Sequence, residues 1–68
     1  GHRRQEIDPA RELRRVLHAA ERHELVAAVA ADARTSVAAA RAALGRLESD
    51  GYLVRRDLGG WERALGPR

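Results

Sequence analysis

Residues 36–56 read S-V-A-A-A-R-A-A-L-G-R-L-E-S-D-G-Y-L-V-R-R, and this stretch decides the fold. Val37, Ala40, Leu44 and Leu47 recur at intervals of three, four and three, which lays them along one stripe of a helix. Thr35 or Ser36 caps its start, and Gly51, just past Asp50, ends it. Gly45 inside the helix costs up to about 1 kcal/mol against Ala, which points to a backbone passing close by. After Gly51 the period changes. Leu53-Val54-Arg55-Arg56 reads as a short strand, and Asp57-Leu58-Gly59-Gly60 as a turn with two residues free to take positive φ. Trp61-Glu62-Arg63-Ala64-Leu65 reads as the returning strand, with Trp61, Arg63 and Leu65 on one face. An isolated hairpin is not stable in water, so this one has to pack on helices.

Working upstream, residues 1–7 are polar and charged and are expected to form a flexible N-terminal segment. Gly1-His2 reads equally as a tag remnant and is given no role. Asp8-Pro9 opens a first helix, Pro9–Glu21, because Asp is a good N-cap and Pro fits the first helical position. Its apolar stripe is Ala10, Leu13, Leu17 and Ala20, with Val16 beside it. No Gly or Pro forces a break at Arg22-His23-Glu24. An unbroken helix to Ala33 would nevertheless be long for a small domain. A second helix is therefore placed at Val26–Ala33, with Leu25, Val29, Ala30 and Ala33 inward. Arg34-Thr35 makes the turn into the third helix. Residues 8–65 thus form one mainly α domain with a small β-hairpin.

Composition sets the bounds. The chain has 68 residues, 44% of them apolar, but alanine makes up much of that fraction and fills little core. A chain of this size buries only about 60% of its unfolded surface. Marginal stability, or support from a partner or a parent chain, follows. An enzyme cleft with its own supporting shell has no room. Cysteine is absent, which excludes a disulfide staple, a zinc ribbon and a thiol nucleophile, and is most simply read as a reducing, cytoplasmic compartment. The longest apolar run, Leu25–Ala31, is far short of a membrane span, and no signal-peptide pattern is visible. His18 and His23 are five apart and misaligned on a helix, so no metal site or cofactor is expected. Gly59-Gly60 lacks the following Lys and helix start of a phosphate loop, and the acids form no paired set. Catalysis is not expected.

The order helix, helix, turn, helix, hairpin is that of a winged helix-turn-helix. Leu44, Leu47, Glu48, Gly51, Leu53 and Arg56 resemble, in register, the end of the recognition helix and the first wing strand of bacterial GntR-type and MarR-type regulators. Val29-Ala30 looks like the leucine-alanine pair of helix two in those families, with Ala33 in place of its closing leucine. The likeness covers about residues 13–63. A second one competes: Ser36-Val37-Ala38, Ala42-Ala43-Leu44, Leu47-Glu48 and Gly59-Gly60-Trp61-Glu62-Arg63 are similar to the C-terminal winged-helix domain of DNA-processing protein A. The first resemblance implies a DNA-binding domain of a transcription regulator. The second implies a protein-interaction domain appended to a larger DNA-processing protein, with weak or no sequence-specific DNA binding.

The exposed face of the third helix bears on both implications. Opposite the stripe lie Ala38, Ala39, Ala42, Arg46 and Ser49, with Arg41 and Gly45 on the flanks. DNA readers of this kind usually supply polar side chains in the first turns, and here only Ser36 and Arg41 keep that chemistry. Thirteen basic residues, all Arg, and ten acids leave a net charge of +3. Genome base composition explains the arginine bias as readily as a selected surface does. The surplus sits at the two ends of the chain, in the Arg3-Arg4 arm and in Arg55, Arg56 and Arg63. The expected DNA-contacting residues are therefore Ser36, Arg41, Arg46, Arg55, Arg56 and Arg63, with duplex DNA as the partner and salt-sensitive phosphate contacts as the main term. Trp61 is expected in the core, and Tyr52 over the helix end.

Overall fold

The computed structural model describes residues 9–64, so the Asp8 cap, the Arg3-Arg4 arm and Leu65 lie outside the described residues. Three helices, α1 (Pro9–Ala20), α2 (Val26–Ala33) and α3 (Val37–Ser49), precede two short strands, β1 (Leu53–Arg55) and β2 (Trp61–Arg63). The helices pack on one another in all three pairs, and β1 leans on α3. The strands form one antiparallel ribbon with Leu53 opposite Arg63, Val54 opposite Glu62 and Arg55 opposite Trp61. The topology is winged-helix-like: a mainly helical domain closed by a two-stranded hairpin.

Local chemistry explains the joints. Arg22-Glu24 is a true break: Glu21 and Arg22 close α1 with tight bonds to the carbonyls of His18 and Ala19. His23 Nε2 and Asp32 Oδ2 lie 3.0 Å apart, which pins this loop to α2. Between α2 and α3, Arg34 takes a left-handed conformation at φ 61°, and its amide and that of Thr35 bond back to Ala31 and Ala30. Thr35 Oγ1 donates to Glu12 Oε2 at 2.8 Å, and Arg15 Nε donates to the Ala33 carbonyl at 3.0 Å. Two α1 side chains therefore hold the turn that sets the α2–α3 angle. At the far end of α3, Gly51 sits at φ 87°. Its amide bonds to Glu48 and that of Tyr52 to Leu47, a Schellman closure that a side-chain-bearing residue would strain.

The core departs from the expected stripes in one consistent way. In α3 the buried positions are Ala40, Ala43, Leu44 and Leu47, whereas Val37 is 41% exposed. In α1 they are Val16, Ala19 and Ala20, with Leu13 and Leu17 only partly covered and Ala10 exposed. Both helices are rotated about their axes: in α1 Leu13 and Leu17 move to the rim, while in α3 Leu44 and Leu47 stay buried and Val37 turns outward. Close helix approach favours small residues on the facing line, and a period of 3.6 marks an apolar arc without saying which flank is covered. Leu25, expected inward, is 70% exposed. It is the N-cap of α2, with extended φ and ψ of −111° and 140°, so helix periodicity does not direct its side chain. Ala39, expected on the open face, is half-buried.

The hairpin seals the base. Leu53 and Trp61 are buried, and Trp61 joins the cluster built on Val16, Val29, Leu44 and Leu47. The ribbon is one residue shorter on the first side than expected. Arg56 belongs to the turn, where its amide bonds to the Gly60 carbonyl and its carbonyl takes the Gly59 amide. Gly60 has φ 83° and lies against Glu24, so a Cβ there would come within 3.1 Å of the Glu24 side chain. The close approach expected at Gly45 is absent: nothing lies within 4 Å of a Cβ built there.

Two stability measurements check this packing. Leu44→Ala should cost about 3 kcal/mol in urea unfolding, and Val37→Ala less than about 1 kcal/mol, because only the former leaves a cavity. Gly45→Ala should stabilise by about 0.5–1 kcal/mol, since a helix-interior glycine with open space gains from a methyl group.

Candidate nucleic-acid interface

The side chains singled out from the sequence fall into two sets. Arg41, Arg55 and Arg56 come together around one open groove of about 770 Å³. Its walls are the amino end of α2 at Glu24, Leu25 and Val26, the flank of α3 at Arg41 and Gly45, and the hairpin turn through Gly60. Ser36, Arg46 and Arg63 do not line it. Arg46 lies about 140° around α3 from Arg41, from five steps of about 100° each.

Each guanidinium is decided by its nearest carboxylate. Arg46 Nε sits 3.4 Å from Asp50 Oδ2, one turn on along α3. Arg63 Nε sits 3.2 Å from Glu21 Oε2, which ties β2 to the end of α1. Arg55 Nη2 lies 3.3 Å from Glu48 Oε2, and its guanidinium stands 5.9 Å from the centre of the Trp61 ring. Arg41 and Arg56 are exposed and, among the described residues, make no ion pair. The groove is not purely basic, because Glu24 and Asp57 also line it. Three guanidinium groups face two carboxylates, and one of the three, Arg55, is paired with Glu48, so the remaining charges of the lining balance.

Ser36 has a structural job. Its side-chain oxygen accepts the Ala39 amide at 3.0 Å, so it and not Thr35 is the N-cap of α3. Trp61 is 6% exposed, and its Nε1–H donates to Glu48 Oε2 at 2.8 Å, so the indole is spent on the core and on α3. Tyr52 closes the α3 end with its amide, while its ring stays exposed beside Leu13 and Leu17 in a smaller groove of about 260 Å³. Sequence reasoning missed Glu48, which receives both Trp61 and Arg55, and Leu58, which is 97% exposed at the hairpin tip. A Glu one turn before the helix-ending Gly51, followed by an Arg and a Trp in a hairpin, was the available signal for the first. For Leu58 the signal was an apolar residue inside an otherwise polar turn.

Among the described residues no group of three His, Cys, Asp or Glu side chains gathers to hold a metal ion. None of their helices is long and apolar enough to cross a membrane. Comparison with known proteins finds no matching family model, no matching curated protein and no matching solved structure.

The capping role of Ser36 is open to direct measurement. Ser36→Ala should lower the unfolding free energy by about 1 kcal/mol, and amide exchange should accelerate first at Ala38 and Ala39.

Proposed function

We propose that this domain is a nucleic-acid-binding module that takes the phosphate backbone of duplex DNA in the groove between α3 and the hairpin. The observation that carries the reading is the placement of Arg41, on α3, and Arg56, in the hairpin turn, along one groove: two exposed guanidinium groups that make no ion pair among the described residues. Basic groups on a helix and on an adjacent ribbon suit a backbone that curves past both. The winged-helix-like order of elements supports the same reading, and the resemblance to bacterial regulators supports a role in transcription control.

Discrimination between base sequences is weak on this reading. The open face of α3 presents Val37, Ala38 and Ala42, whose methyl groups meet a thymine methyl but form no hydrogen bonds to base edges. Binding then rests on charge and shape. The same apolar face favours a second reading, in which α3 docks on a protein partner or a parent-chain domain and DNA contact is incidental.

Salt dependence separates the two. Arg41→Ala and Arg56→Ala should each lower the slope of log affinity against log salt by about 0.9 and weaken binding alike on unrelated duplexes. Fluorescence anisotropy over a salt series measures this. A slope unmoved by both substitutions would discard the phosphate groove in favour of the docking face.

A further inference from the structure

Two residues that line the groove, Arg55 and Trp61, are held by one acid. Glu48 stands in the last turns of α3, and one of its oxygens, Oε2, takes two donors from the hairpin: Trp61 Nε1–H at 2.8 Å and Arg55 Nη2 at 3.3 Å. The two donors sit on directly opposed residues of the ribbon, since Arg55 pairs with Trp61 across β1 and β2. They also touch each other, with the guanidinium 5.9 Å from the indole centre. The three side chains therefore form a closed triangle that spans α3, β1 and β2.

The triangle has two separable consequences. The Trp61 bond is made by a nearly buried indole and joins the hairpin to α3. The Arg55 bond is made by a largely exposed guanidinium, and it cancels the charge of that group where it borders the groove. A phosphate arriving in the groove meets Arg41 and Arg56 as full charges, and Arg55 together with Glu48 as a neutral pair.

We propose that Glu48 is a positioning residue of the nucleic-acid interface, fixing the hairpin to α3 through Trp61 while holding Arg55 out of the set of groups that neutralise phosphate. This rests on the phosphate-groove reading. It makes Glu48 a built-in limit on affinity: removing its charge, but not its acceptor, releases one more cation into the groove. Glu48→Gln does this, because the amide oxygen still accepts the Trp61 N–H while the attraction for Arg55 is lost.

The test compares four forms of the 68-residue chain on one short mixed-sequence DNA duplex across a salt series: the wild type, Glu48→Gln, Arg55→Ala and the double variant. Glu48→Gln should steepen the salt slope by about 0.9, the weight of one phosphate contact. Arg55→Ala should leave the wild-type slope unchanged and abolish the increase in the Glu48→Gln background. The indole N–H resonance of Trp61 should stay near its wild-type position in Glu48→Gln and move in Glu48→Ala, a readout that needs no DNA. Equal slopes for the wild type and Glu48→Gln, or an equal loss on Arg55→Ala in both backgrounds, would overturn the role given to Glu48 and leave the groove standing. A wild type with no salt-dependent duplex binding would remove the groove reading, and this proposal with it.

Discussion

Everything in this domain depends on three helices coming close enough for alanine to be an adequate core residue. Half of the buried apolar positions among the described residues are alanines: Ala19, Ala20, Ala30, Ala33, Ala40 and Ala43. Such side chains bury little area each, so the stabilisation per residue is small. The bulk comes from a few larger groups, namely Val16, Val29, Leu44 and Leu47 on the helices and Leu53 and Trp61 on the hairpin. The hairpin is thus part of the core and not an appendage to it. Its two buried residues close the end that three alanine-lined helices leave open.

That dependence explains why the polar ties sit where they do. Thr35 to Glu12 and Arg15 to Ala33 hold the α2–α3 turn against α1, and Glu48 to Trp61 holds the ribbon against α3. Each tie joins elements that apolar packing alone fixes only loosely. Exposed ion pairs contribute little individually. The bond from the buried indole is different in kind, because an N–H left without an acceptor there would carry a desolvation cost.

Much of this was legible in the sequence. Ser36, Gly51 and the Gly59-Gly60 pair act through their own local conformation, so their positions announce the elements they bound. Periodicity announced the helices but not their rotation. Val37 and Ala43 lie on opposite flanks of the same stripe, and only the neighbouring helix decides which is covered. Leu25 looked like core by hydropathy and became an exposed cap because it precedes the helix. The site was legible as a set of arginines and not as an arrangement. Arg63 to Glu21 and Arg55 to Glu48 link residues far apart in the chain or on different elements, and no local spacing reports such pairs. What distinguishes Arg41 and Arg56 from the other exposed arginines is that the fold brings both to one groove, which no local spacing reports.

Gly60 carries a consequence for how chains on this plan can diversify. Its backbone needs the conformation that glycine tolerates best, and the loop at Glu24 occupies the space a side chain would enter. Asp57 and Leu58, three and two positions earlier, are open to solvent. Descendants of this sequence are therefore free to rewrite the tip of the ribbon and change what it touches, while the pivot one step before the tryptophan stays bare. Variation at the tip and invariance at the pivot would let one frame acquire new partners without rebuilding its core.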